Sequence, residues 1–197
     1  MKKLFLALLV VMIGGTLGVG IAYDYTHPML TKWGDSYQTC TFYVQDTFGS
    51  TSKTQFADAV IHWNNQLTKS PPFLYKSSSD TSLTQPQKNG TKTVTKRYIG
   101  YGYVAVCERY LDATNTYVIE TDIDLNTYWQ FANSAQPGCY DVQSIFTHEL
   151  GHVLRIGEST VYADTMYSTA KLNNTDNRTV TTADRDAARD STARWFQ

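Results

Sequence analysis

His148-Glu149-Leu150-Gly151-His152-Val153-Leu154-Arg155-Ile156-Gly157-Glu158 is the stretch from which the rest of the chain is read. On a helix, residues i and i+4 share a face one turn apart, so His148 and His152 can aim two imidazole nitrogens at a single ion. That is zinc-ligand spacing. Glu149 sits one residue round from the first histidine, where its carboxylate reaches a metal-bound water without taking a coordination position, and so offers a general base for hydrolysis. The chain holds four His (27, 62, 148, 152) and four Glu (108, 120, 149, 158), and half of these eight lie within eleven residues, which argues against chance. The competing reading is the polar face of an ordinary surface helix. Leu150, Val153 and Leu154 give the same helix an apolar face, which supplies the helical context the motif needs.

Two histidines and a water leave a tetrahedral zinc one protein ligand short. No glutamate follows Glu158, so a ligand from a Glu on a later helix is excluded. Glu158, the aspartates beyond it, and the remote His27 and His62 remain.

Outward from the motif, Asp141 is a good N-cap, and the pattern predicts a helix from Val142 to about Leu154 with Ile145, Phe146, Leu150 and Val153 buried. Thr39 to Gln45 reads as a strand, with Phe42 and Val44 on one face and Tyr43 on the other. Phe56, Val60, Trp63 and Leu67 recur at helical spacing between Ser52 and Leu67, and Pro71-Pro72 ends that packing helix. His62 beside Trp63 reads as a partly exposed histidine. Phe73 to Tyr75 is a short strand, and Lys76 to Lys92 a long polar loop. The β signal returns at Val94, over Tyr98 to Val106 and over Tyr117 to Leu125, with Asp112 to Asn115 as the last turn. Trp129 and Phe131 cover the sheet. Thr181 or Thr182 caps a final helix whose first turn holds Asp184 and Asp186.

These motifs resemble a known family. His148 to Glu158 looks like the metzincin signature HExxHxxGxxH, and Asp164-Thr165-Met166-Tyr167 looks like the turn whose methionine lies beneath the metal. Asp122-Ile123-Asp124-Leu125-Asn126 with Trp129, Asp141-Val142-Gln143-Ser144, and Thr181-Thr182-Ala183-Asp184 are similar to the matrixin subgroup, over roughly Thr39 to Trp195. The resemblance implies an α+β zincin-like fold: a twisted mixed β-sheet of about five strands with a packing helix, an active-site helix and a C-terminal helix. It implies a zinc endopeptidase in which His148 and His152 bind Zn2+, Glu149 is the base, Met166 is the floor of the site and Tyr167 is a candidate transition-state donor, beside the reading of Tyr167 as a packed aromatic.

The sequence departs from the pattern twice. Arg155 stands where the family has a turn glycine, at a cost of about 1 kcal/mol if it takes a left-handed conformation, or the turn shifts to Gly157. Glu158 stands where the family has a third histidine, and zinc accepts its oxygen. An anionic third ligand would acidify the bound water less than histidine, so activity is expected to be lower or its pH optimum shifted. Calcium at Asp122, Asp124 and Asn126 enters by resemblance alone, because these residues alternate along a strand and form no loop cage.

A chain of 197 residues suits one domain. The expected organisation is a signal peptide over 1–22, an N-terminal arm over 23–38 and the catalytic domain over 39–197. Lys2-Lys3, the apolar run Leu4 to Ile13 and Gly20-Ile21-Ala22 form a secretory signal with cleavage after Ala22. The alternative is an uncleaved anchor, since Leu4 to Ala22 carries no charge. A membrane is a partner only in that case. The net charge of −1 gives no electrostatic footprint for nucleic acid. Cys40, Cys107 and Cys139 allow one disulfide or none. Asn89, Asn173 and Asn177 open glycosylation sequons. The expectation is a secreted, monomeric zinc endopeptidase acting on protein or peptide, with strand addition to an edge within Tyr101 to Cys107 as the mode of substrate binding. Two other readings compete with it: a binding or inhibitory module on the same shell, and a zinc hydrolase of a non-peptide amide.

Overall fold

Strands form where β-branched and aromatic residues run together, and helices where apolar residues recur at three and four. The computed structural model describes residues 32–33, 40–67, 73–78 and 86–193. In chain order its elements are β1 (Lys32–Trp33), β2 (Cys40–Gln45), α1 (Ser50–Gln66), β3 (Phe73–Ser78), β4 (Lys92–Arg97), β5 (Ala105–Leu111), β6 (Tyr117–Asn126), β7 (Phe131–Ala132), β8 (Tyr140–Asp141), α2 (Val142–Val153) and α3 (Thr182–Ala193), with a 3-10 turn at Asp176–Arg178 before α3. The expected signal peptide and most of the arm lie outside the described residues.

The sheet is mixed and has six strands, in line with the about five expected, with β7 and β8 forming a separate parallel pair. Its parallel neighbours run β1-β6-β4-β2-β3, and β5 lies antiparallel on β6. β1 is formed by two residues of the arm that pair with Tyr117 and Val118. Along β2, Cys40, Phe42 and Val44 are buried while Thr41 and Tyr43 are half-buried, the alternation a one-sided strand requires. β6 is buried from Glu120 to its end. Ile123 and Leu125 alternate with Glu120, Asp122, Asp124 and Asn126, so the core residues and the polar residues point to opposite faces.

The expected strand from Tyr98 to Val106 is not formed. β4 stops at Arg97, residues 98–104 form a loop, and β5 begins at Ala105. Tyrosines give this segment β propensity, but Gly100 sits at φ 94°, which breaks any strand through it. The loop is held from below, where Asn126 Nδ2 donates to the carbonyls of Gly100 (2.5 Å) and Tyr103 (2.6 Å). The open edge therefore belongs to Ala105–Leu111. β3 also runs three residues beyond the expected Tyr75.

The core lies between the sheet and the helices α1 and α2. Phe42 meets Phe56 at 5.8 Å, and Phe146 of α2 meets Phe56 at 4.9 Å and Phe48 at 5.9 Å. The two edge-on pairs made by Phe56 add about 1 kcal/mol each beyond their buried area. Trp63 on α1 donates its Nε1–H to the Thr147 carbonyl at 2.7 Å, which ties the packing helix to the motif helix. Every residue of α2 is buried. That disposes of an ordinary surface helix and places the motif's polar atoms where they need partners.

The start of α2 is fixed by Asp141. Its carboxylate accepts from the Ser144 N–H (2.9 Å) and hydroxyl (2.8 Å), and from Arg178 at 2.9 and 2.6 Å. Arg178 also donates to the Asn133 carbonyl at 2.8 Å. Asp141→Ala is expected to cost about 2 to 3 kcal/mol, the cap plus a guanidinium left half-buried, measured by chemical denaturation against a surface Asp→Ala control.

Candidate metal centre

α2 ends in a turn that sends the chain back past its own histidines. Arg155 N–H donates to the His152 carbonyl (2.8 Å) and Ile156 N–H to the Gly151 carbonyl (3.1 Å), the paired bonds of a Schellman cap. The left-handed residue is Arg155 itself, at φ 68°, and Gly157 is not in that region. The turn therefore stays where the family places it, on a non-glycine residue, and does not shift to Gly157. Beyond it, Ser159 N–H donates to the Met166 carbonyl (2.6 Å) and Ser168 N–H to the Ser159 carbonyl (3.1 Å). This short bridge holds Glu158 against the 164–167 turn.

The result is a cluster. Ligand atoms of His148, His152 and Glu158 all lie within 4.8 Å of one another, and among the described residues no other group of three or more His, Cys, Asp or Glu does this. His148 Nε2 and His152 Nε2 are 3.1 Å apart, and Glu158 oxygens stand 3.7 and 3.4 Å from them. Ligands 2.0–2.2 Å from a tetrahedral zinc are about 3.3 to 3.6 Å from each other.

The protonation pattern supports the same reading. His148 Nδ1 faces the Thr165 carbonyl and His152 Nδ1 the Ile156 carbonyl, both at 2.9 Å. A carbonyl accepts only, so each Nδ1 carries a proton, and in the neutral ring each Nε2 then presents a lone pair. Two lone pairs facing at this distance repel unless a cation lies between them. The donor set, one carboxylate and two neutral imidazoles, fits a zinc-like ion.

Burial sets the charges of the neighbours. It pushes the Glu149 carboxyl up to about 8, with Glu158's charge adding to the shift and His148 opposing it. Both Glu149 oxygens are buried without a hydrogen-bond partner among the described residues, a costly state for a carboxylate unless it serves a ligand or water. Burial also works against ionisation of Glu158, but hydrogen bonds and positive charge from the two imidazoles in their protonated form win and bring its carboxyl down to about 2. Cys107 on β5 feels this site. Burial first, then the Glu149 charge, raises its thiol well above the usual range. All three cysteines are free, so the sequence's allowance of one disulfide is not used among them.

Met166 lies directly against the motif helix. A Cβ on Gly151 would fall inside the radius of Met166 Sδ and stand 2.9 Å from its Cε and 3.2 Å from Trp63 Cζ2. Gly151→Ala is therefore expected to lower stability by about 1 to 3 kcal/mol, read as a fall in melting temperature. Tyr167 is half-buried, with its ring 5.4 Å from the exposed Tyr162. His62 is half-buried on α1 and outside the cluster.

The residues considered for calcium are otherwise engaged. Asp122 accepts from Thr93 N–H (2.7 Å) and Gln87 N–H (3.1 Å). Asp124 accepts from Thr95 and from Arg97. Asn126 spends its side chain on the 98–104 loop. Among the sequons, Asn177 offers no free amide, because its Nδ2 is buried and donates to the Thr165 carbonyl at 3.1 Å.

A family model described as matrixin matches residues 33–190. The chain belongs to the matrixin family. Membership places this matrixin among the metallopeptidases, and its mixed sheet, packing helix, motif helix and C-terminal helix accord with that fold. No curated protein matches the sequence individually. The groups behind the ligands escaped the sequence reading: the Thr165 carbonyl, Asn177 and Asp184, which accepts the Thr165 N–H at 2.7 Å. The only signal was Asp184 in the first turn of α3, read there as a charge complementing the helix dipole.

Proposed function

We propose that this matrixin is a secreted zinc endopeptidase. The observation that carries the reading is the orphaned, buried Glu149 carboxylate one residue from two histidines whose Nε2 lone pairs converge with Glu158. His148, His152 and Glu158 would hold the ion. A zinc bound there would polarise a peptide carbonyl and acidify a water. Glu149 takes the water's proton and passes it to the departing amine. β5 pairs only with β6 among the described strands, so its other edge can take an extended peptide by strand addition. Secretion rests on the Lys2-Lys3, Leu4 to Ile13 and Ala22 pattern.

The chain from Tyr23 onward is expected to cleave casein, and a zinc chelator to abolish the cleavage, with zinc restoring it. A folded, zinc-loaded protein that leaves casein and other unfolded proteins intact would point to the binding module.

A further inference from the structure

His148 and His152 are oriented by carbonyls of different origin. The one facing His152 belongs to Ile156, in the capping turn of the same helix, and comes into place as α2 terminates. The one facing His148 belongs to Thr165, 17 residues away in the chain, and nothing local to α2 fixes it. Three groups pin that residue. Asp184 accepts its N–H at 2.7 Å, its hydroxyl donates to the Thr179 carbonyl at 2.7 Å, and Asn177 Nδ2 donates to its carbonyl oxygen at 3.1 Å. Of the three, Asn177 is the one that touches the oxygen His148 uses.

Asn177 is itself oriented. Its Oδ1 accepts from Lys171 Nζ at 2.7 Å, and that ammonium lies 4.2 Å over the Tyr162 ring. Lysine has donors only, so the amide oxygen must face it and the NH2 must face Thr165. A cation on the oxygen polarises the amide and strengthens the bond its N–H makes at the other end. The path runs from Lys171 through Asn177 to the Thr165 carbonyl and on to His148 Nδ1.

We propose that Asn177, oriented by Lys171, is a positioning residue of the metal centre, fixing the Thr165 carbonyl that sets the tautomer and ring direction of His148. The inference rests on the proposed role of His148 as a ligand. Asn177 touches neither ion nor substrate. Its effect passes through one carbonyl oxygen, and partners of this kind govern metal affinity.

Asn177→Asp separates positioning from packing. It keeps the side chain's volume and strengthens the contact with Lys171, but it sets an oxygen against the Thr165 oxygen. Lys171→Met keeps an unbranched apolar stem against Tyr162 and removes the charge. Zinc affinity is measured by competition with a chromophoric chelator, together with the absorption spectrum of the Co2+-substituted protein and the melting temperature of the metal-free protein. Asn177→Asp is expected to weaken zinc binding by about ten-fold or more and to shift the Co2+ ligand-field bands. Lys171→Met is expected to weaken it by roughly three-fold with an unchanged melting temperature.

Affinities within about two-fold of wild type in both variants would overturn the proposal, as would an effect on melting temperature alone. If Asn177→Asp does not fold, an unchanged affinity and Co2+ spectrum in Lys171→Met overturns it. A wild type that binds no zinc overturns both this role and the metal reading. Neither readout involves cleavage, so a zinc-binding but inactive chain with the expected ranking supports the positioning role while removing the peptidase reading.

Discussion

Glu149→Gln is expected to lower casein hydrolysis by about 10²- to 10⁴-fold while making the metal-free protein more stable at neutral pH. The first effect follows from removing the one carboxylate placed to accept a proton beside the cluster. The second follows from the cost of burying it. Burial holds the folded-state carboxyl at about 8, above its ordinary value of 4.5. For a group whose pKa is raised on folding, the stabilising contribution is full below the unfolded value and is lost as pH rises through the folded one. Between pH 4.5 and 8 the folded state thus keeps a proton the unfolded state would release, at a cost of about 3 kcal/mol by pH 7. Glutamine has no such titration. The variant's stability advantage should therefore grow from pH 5 towards pH 8 in chelator-treated samples, followed by denaturant midpoint. Equal stability of both proteins across that range would mean that the wild-type carboxyl is not protonated in the fold. Retained hydrolysis would remove Glu149 from the chemistry.

How far the sequence spoke for this site depends on which atoms are involved. Side chains with a fixed spacing were readable. Asp141 as cap, the run from Val142 and the i, i+4 histidines all describe one helix, and the helix forms with that cap and that face. Backbone atoms have no such signature. Nothing in Thr165 as a letter shows that its carbonyl faces His148, because that depends on α3 bringing Asp184 to its N–H. Asn177 was legible only as a sequon, since its partners, Lys171 and Thr165, come from two other segments. The misplaced strand over Tyr98 to Val106 has a local cause: tyrosine's preference for extended structure outweighed two glycines in the reading, whereas the chain obeys Gly100. Arg155 shows the reverse. Propensity argued for moving the turn to Gly157, but the capping bonds and the bridge from Ser159 to Met166 fix its position and absorb the strain.

That turn is what makes the second large effect a test of the third ligand. Arg155 reverses the chain so that Glu158 returns to the two imidazoles, and Glu158→Ala is expected to weaken zinc binding by about 100-fold or more, a loss above that typical of supporting residues. The next acidic residue cannot easily replace it. Asp164 is committed to the Ser159 hydroxyl at 2.5 Å and lies beside the Thr181 hydroxyl. Zinc affinity unchanged by Glu158→Ala, measured by chelator competition, would place the third ligand elsewhere. Glu158→His distinguishes charge from mere presence. A glutamate ligand binds as the carboxylate and delivers a negative charge to the ion, where histidine would deliver none. A neutral ligand leaves more charge on the metal and makes its water more acidic. The acid limb of kcat/KM should therefore move to lower pH in Glu158→His, with zinc still held; an unmoved limb would mean that the third ligand's charge does not set the acidity of the site.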